Sequence, residues 1–182
     1  MILTLIMIAG ITLLTGCSTA QKGSTAAVFN YDQTTMPDAK PWTSENFRNN
    51  PDNFQFAIIG DRTGGANVEK TFELAMGQIN LLQPEFVINV GDIIEGYTDN
   101  KEELNVEWDE ISDMLNTLDM PFFHTPGNHD ISNKAAEEVW LERHGAIYYH
   151  FVYKNVLFLV LDSEDPPRVA PEGIQEKLKV YK

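Results

Sequence analysis

Apolar positions along this chain change their period several times, and each change predicts an element. Phe56-Ala57-Ile58-Ile59, Phe86-Val87-Ile88-Asn89-Val90 and Pro121-Phe122-Phe123 are short, nearly unbroken apolar runs, as in strands buried on both faces of a parallel sheet. The first strand is expected from Phe54 to Ile59 and the third from Pro121 to His124. Between the first two, Phe72, Ala75, Ile79 and Leu82 recur at helical spacing, which predicts an amphipathic helix that begins near Val68 and has ended by Pro84. Leu104, Trp108, Ile111, Leu115 and Leu118 predict a second helix from about Glu102 to Leu118, and a third begins near Lys134. Tyr148 to Tyr153 and Val156 to Leu161 predict a hairpin turning at Lys154-Asn155. Pro166-Pro167 then breaks the chain, and Gly173 to Lys182 is expected to start another helix.

Strand, loop, helix and strand from Phe54 to Val90 form a βαβ unit. Its right-handed crossover puts the carboxyl ends of both strands on one edge of the sheet, so the fold class is α/β. Each of the three apolar runs leads into glycine and then an oxygen donor: Gly60-Asp61, Gly91-Asp92 and Gly127-Asn128, the last continued by His129-Asp130. Open α/β sheets bind ligands at these strand ends. Two carboxylates and an amide oxygen, with an imidazole beside them, suit a divalent-metal hydrolytic centre.

Gly60-Asp61, Gly91-Asp92 and Gly127-Asn128-His129-Asp130, in this order and at these intervals, resemble the first three motifs of the calcineurin-like metallophosphoesterases. The likeness runs from about Phe54 to about Ser163 and includes the hairpin. It implies an α/β/β/α sandwich, two divalent ions (Mn, Fe, Zn or Mg) and a phosphate-ester substrate. By this resemblance Asp61 binds one metal, Asn128 the other, and Asp92 bridges both. His129 contacts phosphate and protonates the leaving oxygen, while Asp130 orients its ring and can also cap the next helix. The usual Asp-x-His of the first motif has Thr63 in place of histidine, and hydroxyl is a poorer transition-metal ligand than imidazole. In the purple acid phosphatase branch a Tyr three residues beyond the second-motif Asp serves as ligand; Glu95 holds that position here, as a ligand or a solvated loop carboxylate. Arg62 suits either a bidentate grip on phosphate or a surface ion pair. Gly64 and Gly65 form either an anion-binding loop or a plain turn. His124, His144 and His150 read as satisfied structural or surface histidines.

The family's later histidines, including Gly-His-x-His, have no counterpart after Ser163. The resemblance therefore implies a sandwich truncated after its first half, from a truncated gene or a partial reading of a longer protein. It also leaves open a catalytically degenerate, lipid-anchored binding or scaffold module.

Composition adds boundaries. With 182 residues and 43% hydrophobic content, one domain with a real core is expected, preceded by appendages. A net charge of −14 argues against a nucleic-acid-binding surface. No G-x-G-x-x-G or P-loop pattern occurs. Residues 1–16 read as a secretory signal whose Leu14-Thr15-Gly16-Cys17 is similar to a bacterial lipobox. Cys17, the only cysteine, is the expected lipidation site, and no intrachain disulfide is possible. Ser18 after it implies the outer membrane, facing the periplasm, in a diderm cell. Residues 17–52 read as lipidated cysteine, tether and irregular lead-in, with Trp42 and Phe47 packing on the edge of a domain spanning 53–182.

Overall fold

Two three-stranded sheets lie against each other, and one of them carries the three glycine-ended strands. The computed structural model describes residues 28–48, 53–65, 67 and 70–163. The signal segment, Cys17, Val68, Pro166-Pro167 and the helix expected from Gly173 lie outside the described residues. In chain order the elements are β1 (Phe29–Tyr31), β2 (Ala57–Ile59), α1 (Thr71–Leu82), β3 (Val87–Asn89), α2 (Lys101–Leu115), β4 (Phe122–Phe123), α3 (Lys134–His144), β5 (Tyr149–Tyr153) and β6 (Val156–Val160).

The parallel sheet has the order β2-β3-β4, with Ile58 opposite Ile88 and Ile88 opposite Phe123. Alternation along these strands divides the core. Val87 and Phe122 join Phe72, Met76, Ile79, Trp108, Val139 and Trp140 under the helices. Phe86 and Phe123 point the other way, into an aromatic layer with Trp42, Tyr149, Phe151 and Tyr153 of the antiparallel sheet. Phe123 stacks on Phe151 at 4.2 Å and Phe86 meets Tyr153 edge-on at 5.3 Å. The described residues thus form three layers, helices, parallel sheet and antiparallel sheet, consistent with part of the expected sandwich. Leu157, Leu159 and Leu161 remain more than half exposed on the outer side of β6.

The antiparallel sheet runs β1-β5-β6, with the β5–β6 hairpin turning at Lys154-Asn155 as expected and Lys154 in the left-handed region. The strand β1 is a departure. Residues 28–48, expected as an irregular lead-in, hold a strand paired with β5, and Trp42 is buried and bridges to Phe123. Three residues are too few to show a period of two, so the sequence carries no sign of this strand.

Helix boundaries also shift. The stripe of α1 is Phe72, Met76 and Ile79, while Leu82 is 74% exposed near a left-handed cap at Gln83. Helix α2 is capped by Asn100, whose side chain accepts from the backbone of Glu102 and Glu103, and it ends at Leu115 rather than Leu118. Asn133 caps α3 by accepting from Ala136, so Asp130 does not serve as that cap.

Candidate active site

Backbone packing joins the three strand-end turns. Val90 donates to the Ile59 carbonyl at 3.0 Å and Arg62 to the Asp92 carbonyl at 2.9 Å. Asn89, buried at the end of β3, uses its side chain to extend pairing past β4: Oδ1 accepts from Thr125 N at 2.7 Å, and Nδ2 donates to Thr125 O at 3.2 Å. The turns press so closely that a Cβ on Gly91 would lie 2.6 Å from Gly127 Cα, and one on Gly127 would lie 2.5 Å from Asp92 N. Those two glycines serve close backbone approach. Asp92 itself adopts φ +59°, a left-handed conformation tolerated by Asp better than by most residues.

Each of the two carboxylates expected to bind metal is held by one oxygen. Asp61 Oδ1 accepts the Thr63 backbone N–H at 2.8 Å and the Thr63 hydroxyl at 2.9 Å. Thr63, buried where the usual histidine is missing, therefore braces Asp61. Asp92 Oδ1 accepts the His129 backbone N–H at 2.9 Å. No hydrogen bond among the described residues engages Oδ2 of either carboxylate.

Asp130 departs from the expected role. Its fully buried carboxylate accepts four backbone N–H groups: Oδ2 from Asp92 and Gly127, both at 2.8 Å, and Oδ1 from Ile93 at 2.9 Å and Ile94 at 3.2 Å. Four donors fill the lone pairs of both oxygens, which leaves none for an imidazole. Burial pushes its pKa up and the four N–H donors pull it down, with a net rise to about 6. Asp130 thus latches the second and third turns together instead of orienting His129.

The His129 ring is held by a different group, with Nδ1 lying 2.6 Å from the Glu95 carbonyl oxygen. A carbonyl only accepts, so Nδ1 carries the hydrogen. Tyr97 meets the ring edge-on at 4.7 Å, and its hydroxyl accepts from Asn128 Nδ2 at 2.9 Å. The Asn128 nitrogen is thereby engaged, and Oδ1 is left as the atom of that amide that could meet a cation. The carboxylate of Glu95 is exposed and accepts from Gly64 N at 3.4 Å. Sequence reasoning passed over Glu95 as a carbonyl, and Tyr97 and Asn89 altogether. An Asn ending an apolar strand was the one available signal.

Arg62 turns inward. Nη1 donates to the Ile93 carbonyl at 3.2 Å, the guanidinium lies over the Phe72 ring at 6.0 Å, and buried Nε has no hydrogen-bond partner. Neither the expected surface ion pair nor a carboxylate partner is present among the described residues. His150 is exposed, as expected, but His124 and His144 are buried and face one another at 4.2 Å. They are not satisfied: His124 Nδ1 and His144 Nε2 lack partners. Burial lowers both pKa values, that of His124 to about 3, and the Arg143 charge adds to the effect.

Among the described residues no group of three or more His, Cys, Asp and Glu side chains gathers as a metal site. The candidate donor set is instead two carboxylates and one amide oxygen on three adjoining turns. The sequence model of the calcineurin-like phosphoesterase family matches residues 45–170, well over half of the chain. No curated protein and no solved structure matches.

Proposed function

Because the chain belongs to the calcineurin-like phosphoesterases, we propose that it hydrolyses phosphate mono- or diesters with two divalent ions held by Asp61, Asp92 and Asn128. One observation carries this reading. Asp61 and Asp92 are each braced through Oδ1 with no described hydrogen bond on Oδ2, and Asn128 has its nitrogen occupied by Tyr97. Three oxygen donors oriented in this way fit hard divalent ions such as Mg²⁺ or Mn²⁺ and also accommodate Fe or Zn.

Bound there, such ions would offset phosphoryl charge and raise the acidity of water beside phosphorus. The protein's own part is positioning and proton transfer. The Glu95 carbonyl keeps the hydrogen on Nδ1 of His129, so Nε2 is the nitrogen that takes up a proton from solvent, and the resulting imidazolium gives it to the leaving ester oxygen as the P–O bond breaks. Asp130 and Thr63 hold the turns and the first carboxylate against movement. The inward guanidinium of Arg62 does not favour a direct grip on phosphate, and we assign it to support of the Asp92–Ile94 turn.

The test is Mn²⁺-stimulated hydrolysis of an aryl phosphate by the longest natural form of the protein. Asp92→Ala is expected to abolish turnover, and His129→Ala to reduce it by about 10²–10⁴-fold. Undiminished activity of Asp92→Ala would remove the metal assignment.

Lipid anchoring through Cys17 rests on the Leu14-Thr15-Gly16-Cys17 sequence. Among the described residues no helix is long and apolar enough to cross a membrane. An anchored enzyme would work at the cell envelope, and in a diderm on the periplasmic side of the outer membrane. Labelling cells with an alkyne fatty acid should tag the wild type and leave Cys17→Ala untagged.

A further inference from the structure

Residues 95–98 grip the Asn128-His129 pair from one side, and each is fastened separately. Gly96 N donates to Glu107 Oε2 at 2.9 Å, Tyr97 N to Ser132 Oγ at 3.0 Å, and the Thr98 carbonyl accepts from Asn133 Nδ2 at 2.9 Å. Gly96 and Tyr97 both adopt left-handed backbone, at φ +58° and +55°. For glycine this is ordinary, but for a bulky tyrosine it is costly and persists only where surroundings over-determine it. A Cβ on Gly96 would overlap the His129 carbonyl, so the strand of chain carrying Tyr97 lies directly on the turn it serves. The tyrosine is 57% exposed, so core packing does not account for its conformation. Its two specific contacts are both with the candidate site: the hydroxyl with Asn128 and the ring with His129.

We propose that Tyr97 is a positioning residue for this site, its hydroxyl fixing the side-chain amide of Asn128 so that oxygen rather than nitrogen is offered to a divalent ion, and its ring limiting rotation of His129. An amide has one ligating end and one repelling end for a cation, and a half-turn about its terminal bond exchanges them. In the orientation seen here the tyrosine oxygen accepts from Nδ2 and leaves Oδ1 free, and an ion on Oδ1 leaves the hydroxyl only that accepting role, so the bond to Tyr97 and the ion favour the same face of the amide. The inference rests on the phosphoesterase reading above.

Mn²⁺ binding measured by calorimetry on the purified chain separates the two. Wild type is expected to bind and Asp92→Ala to lose binding; a wild type without affinity, or an unaffected Asp92→Ala, would overturn the metal-site reading and this inference with it. With those controls in place, Tyr97→Phe is expected to weaken Mn²⁺ binding about tenfold, the lower range for outer-shell groups. The same change in an Asn128→Asp background is expected to cost less than about twofold, because a carboxylate presents oxygen whichever way it turns. An equal loss in both backgrounds would make Tyr97 merely structural, and no loss in the first would dismiss it; either outcome overturns the proposal. Should Tyr97→Phe melt early, Ser132→Ala loosens the tyrosine's backbone without altering its ring. It is expected to weaken Mn²⁺ binding in the same direction, and an unchanged affinity would count against the proposal.

Discussion

The Asp130 carboxylate accepts the backbone N–H of Asp92 at 2.8 Å, across 38 positions of sequence. Through this bond and three others it fastens the turn after β3 to the turn after β4. Asp130→Asn would set an NH₂ group against N–H donors and leave at least one of them unsatisfied. The expected outcome is a loss of about 2–3 kcal/mol in urea-induced unfolding. A variant of normal stability whose turnover falls as in His129→Ala would restore the ring-orienting role.

Thr63 braces Asp61 with its hydroxyl and its backbone N–H. Thr63→Val keeps the branched shape and the N–H but removes the hydroxyl. Mn²⁺ affinity is expected to fall several-fold with little change in melting temperature, and Thr63→Ser to restore it. Equal affinity of the valine and serine variants would show that the backbone bond alone suffices.

Two glycines make opposite forecasts. A methyl group on Gly127 collides with the backbone and carboxylate of Asp92, so Gly127→Ala is expected to lose more than about 2 kcal/mol of stability together with metal binding. Gly77 lies exposed in α1 with nothing near its missing Cβ, and Gly77→Ala is expected to gain about 0.5–1 kcal/mol. Denaturant titration of both variants checks the pair.

Acid sensitivity should come from His124. Burial lowers its folded pKa to about 3 against an ordinary 6.5, with Arg143 the nearby charge and neutral His144 the ring tilted against it. Between those values the unfolded chain binds a proton that the folded chain refuses, so stability falls as pH falls through that window. Asp130 acts in the opposite sense, because its raised value lets the folded chain take a proton first between about 6 and 3.8. Comparison with His124→Phe isolates the histidine. From pH 7 to 4.5 the wild type should lose about 2–3 kcal/mol more than the variant. Parallel losses would assign the acid response elsewhere.

The parallel sheet was legible because β3 and β4 are enclosed on both faces and read as apolar runs, as does the edge strand β2 even though Ile58 is exposed, and each leads into a glycine-and-donor turn. The helices were legible from Phe72, Ile79, Trp108 and Ile111, whose burial follows their period. The roles of Asp130 and Tyr97 were not. Both depend on donors and acceptors brought from more than thirty positions away, and a local motif contains no record of them. Asp130 beside His129 suggested a carboxylate–imidazole pair, whereas the turn sends the two side chains to different partners. Leu82 was misplaced because the left-handed residue after it ends α1 at solvent, a backbone event that hydrophobic spacing does not encode.

The pairing of β1 with β5 bears on the order of folding. Phe29 meets Tyr153, so a strand near one end of the described chain waits for one near the other. The local βαβ unit can form early, but the aromatic layer closes only after this distant partner arrives, and loop closure over such a separation slows the step. Until then Phe86 and Phe123 lack their cover. During synthesis, that half-built interior would be exposed for as long as the ribosome takes to reach the hairpin.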